Sequence, residues 1–174
     1  MSVFSSLALG ISAVVLVMAM IYGAVSDLGR FTIPNWVPLL AVAAFFVAAW
    51  AAGLDVQQIA VSLGIGLSCL TVGIAAFALG VFGGGDIKLF AAGAVWTGWS
   101  AFAPYVMAVA VAGGILSLIL LLFRHLPLGS RLARVDWVGA LHRPTEPVPY
   151  GVAIATGTVV SLPRSPVMAV LIGG

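Results

Sequence analysis

The sequence predicts an all-α protein that crosses a membrane about six times and carries an acid-bearing site at one membrane face. Three observations predict this. Of 174 residues, 63% are hydrophobic and 7% charged, with a mean hydropathy of +1.24, whereas charged residues make up about 25% of a soluble globular domain. Apolar runs of spanning length recur along the chain, at about 20 residues per helix. The few charges gather at the ends of those runs. Six spans occupy roughly 120 residues, so a single membrane-embedded domain over 1–174 is expected, with no room for a sizeable soluble one.

The spans follow in order as 3–25, 37–53, 59–82, 87–99, 101–123 and 150–172. The first run has no Lys or Arg ahead of it and exceeds the 7 to 15 residues of a signal-peptide core, so it reads as a retained span. Ser26 to Trp36 reads as a polar loop holding Asp27, Arg30, Thr32, Pro34 and Asn35, with Asn35 as a cap for span two and Trp36 at the interface. Asp55, Gln57 and Gln58 form a short turn before span three, which ends on Gly83-Gly84-Gly85-Asp86-Ile87-Lys88. The stretch after Asp86 is short for a crossing, so span four is either tilted and buried in protein or re-entrant. Between spans five and six lies the one extended polar segment, Arg124 to Pro149, with four arginines, two histidines and four prolines. It reads as a loop with room for a short surface helix. Pro163-Arg164-Ser165-Pro166 interrupts the last apolar region and marks the far interface.

Six crossings place Arg30, Lys88, Arg124, Arg131, Arg134 and Arg143 on one side and only Arg164 on the other. By the positive-inside rule that side is the cytoplasm. Asp27 and Asp86 then share the cytoplasmic face, whereas Asp55 lies opposite. With a net charge of +2, a pI near 9.1 and scattered basic residues, nothing points to nucleic acid. The single cysteine, Cys69, lies mid-span, can form no intrachain disulfide and reads as a packing residue.

An acid bordering hydrocarbon is costly and marks a candidate site. Asp27 and Asp86 each end a long uncharged run, and the three glycines before Asp86 permit positive φ and close helix approach. Two neighbouring carboxyl groups cannot both ionise cheaply. One proton is shared, and the pair acts as base on water and acid on a leaving amine, with no metal or covalent intermediate. The plainer alternative is that Asp27 and Asp86 are interfacial charges paired with Arg30 and Lys88. His125 and His142 are too far apart for a helical metal pair and read as solvated loop residues. Lys88, the one lysine, has no serine placed beside it for Ser-Lys chemistry. A non-enzymatic alternative is a small transporter using the two acids as proton relays.

Asp27-Leu28-Gly29-Arg30-Phe31-Thr32-Ile33-Pro34-Asn35 and Gly83-Gly84-Gly85-Asp86-Ile87-Lys88 together resemble the two signature segments of type IV prepilin peptidases, membrane aspartic proteases of the GxGD class. Pro149-Tyr150-Gly151 is similar to the family's Pro-x-Gly segment before the last span. The resemblance implies a bacterial inner-membrane endopeptidase that removes the short basic leader of prepilin and pseudopilin precursors at the cytoplasmic face, cutting after a glycine beside the hydrophobic helix. It implies Asp27 and Asp86 as catalytic acids, Gly83 and Gly85 as shapers of the active-site turn, Lys88 and Arg30 as supporting charges, and no cofactor or metal. The larger members carry a Cys-x-x-Cys-bearing cytoplasmic segment and methylate the new N-terminus. This sequence holds no such motif and its first span begins almost at Met1. It looks like the small branch associated with Flp, or tight-adherence, pili, for which peptidase activity alone is expected.

Overall fold

The structure is a computed structural model that describes residues 2–80, 82–127 and 135–172. Among these residues the chain is helical, with no strand. The elements are α1 (Val3–Arg30), α2 (Trp36–Ala52), α3 (Val56–Ala78), α4 (Gly84–His125), α5 (Asp136–His142), α6 (Gly151–Ser161), a 3-10 turn (Leu162–Arg164) and α7 (Pro166–Ile172). α1, α3 and α4 are long and apolar enough to cross a membrane. Arg131 and Arg134, two of the four loop arginines, lie outside the described residues.

α1 buries Leu9, Ser12, Leu16, Ala19, Met20, Gly23, Ser26 and Asp27, a stripe at helical spacing. Its other face leaves Phe4, Leu7, Ile11, Val14 and Met18 exposed, as in a helix that meets lipid. The apolar run stops before Asp27, but the helix continues to Arg30 because the buried stripe continues through Ser26 and Asp27. Phe31 then closes it in the left-handed region, at φ 52°, and donates its N–H to the Asp27 carbonyl at 2.8 Å. Asp27 therefore stands on the last turn of a helix, not in a loop.

Asn35 does not cap α2. Val37 N–H already donates to the Pro34 carbonyl and Pro38 has no N–H, so a capping oxygen would find no donor there. The Asn35 side chain instead accepts from Lys88 Nζ at 2.8 Å. Asp55 opens α3 with a reciprocal capping box, accepting from Gln58 N–H at 2.7 Å while Gln58 Oε1 accepts from Asp55 N–H at 3.0 Å. Its carboxylate is thereby accounted for.

α4 is two helices joined at Gly98, whose φ of 53° and ψ of −168° lie outside any helical region. Beyond that residue the chain folds back on itself. Tyr105 donates its hydroxyl to the Phe90 carbonyl at 2.9 Å and the two rings stack 4.9 Å apart, although a straight helix would separate residues 15 apart by about 22 Å. The hairpin forms the centre of the bundle: α2, α3 and α6 all pack on it, and α1 packs on α2 and α6. Trp96, Tyr105 and Phe45 are fully buried at its heart. The Trp96 indole donates to the Ala41 carbonyl at 2.8 Å, tying α4 to α2.

The bend lies at one end of the bundle. A Cβ on Gly98 would stand 2.8 Å from Pro166 Cγ, and Ser100 Oγ donates to the Arg164 carbonyl at 3.2 Å. The last apolar region, read as one span over 150–172, is thus split by the 3-10 turn into α6 and α7. At the other end α5 fills part of the polar segment. It is held by Arg124, whose guanidinium donates to the carbonyls of Leu141 at 3.0 Å and Glu146 at 2.8 Å. His142 is half-buried with its ring edge-on to Phe123 at 5.3 Å, so it is a packing residue and not a solvated one.

Only glycine accepts the Gly98 conformation, and a side chain there meets Pro166. Gly98→Val is expected to destabilise the protein by about 1–3 kcal/mol. Gly114→Ala, in the same helix with open space around it, is expected to be neutral or stabilising by up to about 1 kcal/mol. Thermal unfolding of both variants in detergent checks the contrast.

Candidate active site

Four chain segments converge at the end of the bundle away from Gly98: the last turn of α1, the 31–35 connection, the first turn of α4 and the start of α6. Asp27 is 5% exposed. Its Oδ2 accepts a hydrogen bond from the Gly151 main-chain N–H at 2.8 Å. Gly151 is the first residue of α6, where N–H groups have no partner within the helix. Asp27 thus supplies an acceptor to that helix start and receives a donor in return.

Asp86 lies in the first turn of α4 and is half-buried. Its neighbour Gly85 lies against Ile33 of the connection that follows the Asp27 turn, so the two carboxyl groups stand at the same end of the bundle. Asp86 Oδ1 is buried and has no hydrogen-bond partner among the described residues. Ser62 Oγ and His142 Nδ1 share that status.

The glycines before Asp86 act through close approach, not through the positive φ that their run suggests. Gly83 has a φ of −71°, and neither Gly84 nor Gly85 is among the residues with positive φ. A Cβ on Gly83 would meet Asp86 Oδ2 at 2.8 Å, and one on Gly85 would meet Ile33 Cβ at 3.1 Å and its N at 3.3 Å. Gly83 clears the carboxylate, and Gly85 lets the 31–35 connection lie against α4. That connection is held in turn by Ser26 Oγ, which donates to the Thr32 carbonyl at 2.8 Å.

The supporting cations do not pair with the acids. Lys88 reaches Asn35, and Arg30 is exposed on the last turn of α1. The one ion pair among the described residues is Arg143–Glu146, at 3.7 Å and half-exposed. Asp27 and Asp86 are therefore not halves of Arg30 and Lys88 salt bridges. No group of three or more His, Cys, Asp or Glu side chains among the described residues is placed to hold a metal.

Gly151 and Tyr150 complete the site, and their roles are not legible from residue type alone. A Cβ on Gly151 would stand 3.0 Å from both Cβ and Oδ2 of Asp27. The Tyr150 ring lies edge-on to Phe82 at 6.3 Å and against Gly113 on the returning arm of α4, where a Cβ would meet it at 2.7 Å. The available signal was Pro149-Tyr150-Gly151 opening an apolar run, which marks a helix start without saying what that start touches.

Among the described residues, fold and site together define an all-helical membrane protein with two carboxyl groups from different helices at the same end of the bundle. A protein-family comparison matches residues 14–118 to the type IV leader peptidase family. The chain belongs to that family, and it is an enzyme of the aspartic endopeptidase type. Similarity searches among curated proteins and among solved structures return no match. The matched region contains both acids and all three glycines, and it ends before Gly151.

Gly151→Ala keeps the N–H and adds a methyl group that must displace the Asp27 side chain. It is expected to lower leader cleavage at least tenfold while leaving thermal unfolding close to that of wild type. A fall in both together would mean that Gly151 serves packing alone.

Proposed function

We propose that this chain removes the short basic leader from prepilin-like precursors, with Asp27 and Asp86 as the catalytic acids acting at the cytoplasmic membrane face. The observation that carries this reading is a buried, hydrogen-bonded Asp27 at the same end of the bundle as an Asp86 whose buried Oδ1 has no partner among the described residues. The two acids hold one proton between them. The ionised carboxylate draws a proton from water as it attacks the scissile carbonyl, and the protonated partner donates to the carbonyl oxygen. As the tetrahedral species collapses, a proton passes to the leaving nitrogen and the pair returns to its starting charge. Gly151 N–H keeps one Asp27 oxygen occupied, so the side chain cannot rotate away. Gly83 and Gly85 keep the turn open, and Lys88 and Arg30 supply positive potential without neutralising the pair.

Depth favours a substrate whose cleavage point adjoins its apolar helix. Residues 84–97 of α4 span about 21 Å, against a hydrocarbon thickness of about 30 Å. Trp99, beside the bend, is 77% exposed and suits the opposite interface. α4 then starts about 9 Å below the near surface, with Asp86 about 3 Å deeper. The returning arm of α4, longer than the first, carries Arg124 in its last turn, and that cationic end faces the cytoplasm under the positive-inside rule. The reading extends to a bacterial inner membrane and to Flp-type pilus precursors, and to peptidase activity without N-methylation.

Co-expression with a precursor from the same genome tests the chemistry. Wild type is expected to shorten it by the leader mass and, with S-adenosylmethionine present, to leave an unmethylated N-terminus. Asp27→Asn and Asp86→Asn are each expected to lose on the order of 10²–10⁴-fold in rate at normal protein levels. Persistent cleavage by either variant removes the two-acid mechanism. For sidedness, Gly29→Cys in a Cys69→Ala background places a thiol in open space two residues from Asp27. A membrane-impermeant thiol reagent is expected to label it in inverted vesicles and not from the periplasm of intact cells, and periplasmic labelling would reverse the assigned face.

A further inference from the structure

α2 and α3 each pack on α4 but scarcely touch one another. Between them runs an open groove of about 830 Å³. Leu39 and Val42 of α2 face Leu67 and Ile74 of α3 across a floor of Ala91 and Val95. The groove is apolar along its length except at one end, where Asn35 and Lys88 stand beside Gly84. We propose that this groove is the docking site for the apolar helix of the precursor, and that the chain ahead of that helix crosses the glycine turn to reach the two acids. This rests on the peptidase reading above and adds where the substrate lies.

The groove leads to the site. Its floor is the same helix that carries Asp86, and its polar end is the first turn of that helix. At 100° per residue, Asp86 points about 200° away from Lys88 and from Gly84, on the far side of α4 from the groove. A substrate helix seated in the groove therefore cannot itself touch the acids. The chain ahead of it must pass over the start of α4. That start is Gly83-Gly84-Gly85, three residues that carry no side chain, and a Cβ on Gly84 would meet nothing closer than Phe77 at 3.5 Å. Crossing a helix about 10 Å wide in extended form takes about three residues at roughly 3.3 Å each. The scissile bond accordingly lies about three residues ahead of the first groove-bound position.

The chemistry of the groove suits a helix rather than a lipid chain. Its small floor residues allow a helix backbone to come close, the usual way helices associate where no hydrophobic drive exists. For a helix about 10 Å across, 830 Å³ corresponds to about two turns. At its polar end Lys88 has Asn35 as acceptor and no carboxylate within 4.0 Å among the described residues. It is placed to donate to main-chain carbonyls that an extended segment leaves unpaired. A second groove, between α1 and α6, is about half the volume and is lined by Val25, Leu28, Val152 and Val159 without a charged residue. It provides the control.

The probe is a synthetic precursor with a short basic leader, a glycine and an apolar helix of about 20 residues. Leu67→Trp and Leu39→Trp, at exposed positions, fill the groove without adding charge. Both are expected to raise KM about tenfold with kcat nearly unchanged, while Val159→Trp leaves KM within twofold. In a Cys69→Ala, Asp86→Asn background, Leu67→Cys is expected to form disulfides with single cysteines placed about three to ten residues after the scissile bond, and Val159→Cys is not. Wild-type KM in both groove variants, or crosslinking at Val159→Cys in place of Leu67→Cys, overturns the docking site while the peptidase reading stands. Failure of wild type to cut the probe defeats that reading and this inference with it. Should the tryptophan variants not fold, the crosslinking pattern decides alone.

Discussion

A carboxyl group sunk into a lipid-embedded bundle has no bulk water to solvate it, so the protein must bring the donor, and here the donor is one main-chain N–H. The hydrogen bond from Gly151 to Asp27 joins the end of α1 to the start of α6 across 124 positions of sequence. Leaving a buried polar group without such a partner costs about 1–3 kcal/mol. Much of the local architecture follows from keeping this contact. Phe31 takes a left-handed conformation that costs a non-glycine residue about 1–3 kcal/mol, and by doing so ends α1 one turn after Asp27. Pro149 is fully buried and delivers the chain to Gly151. Gly113 has no side chain because the Tyr150 ring occupies that place.

The second acid arrives by a different route. Asp86 is set by the length of the first arm of α4, measured from the bend at Gly98. That arm is pinned by the Trp96 bond to α2 and the Tyr105 bond across the hairpin. Both are satisfied polar contacts in the most buried part of the molecule, where packing is tightest and an error in register would be most costly. The bundle thus behaves as a ruler. Its fixed end is the bend, and its free end is the turn that carries the acid.

The cations contribute by their restraint. A Lys or Arg salt-bridged to either acid would favour its ionised form and work against the shared proton that the proposed chemistry requires. Lys88 is diverted to Asn35 and Arg124 to two carbonyls, so each positive charge is satisfied by a neutral oxygen. Net positive character at that end of the bundle survives, while the acids remain unneutralised. Asp55, at the other end, serves its own helix start and takes no part.

The sequence by itself determined the all-helical membrane class and the family, and it singled out Asp27 and Asp86 as candidates, because long uncharged runs and isolated charges at their ends are properties of single segments. It also located the interruption at residues 163–166, since prolines break helices locally. It did not determine that α1 carries Asp27 on its last turn, since hydropathy ends where charge begins while the helix ends where its buried stripe and its closing residue dictate. It assigned Asn35 to a cap that Pro38 leaves without a donor, and of the two uses it offered for the glycines, positive φ and close approach, only the second is taken up, leaving room for Asp86 and Ile33. The meeting of Asp27 with Gly151, the fold-back at Gly98 and the groove between α2 and α3 were decided by the tertiary structure alone. Each depends on which faces of distant helices come together, and that pairing is written in no local run of residues.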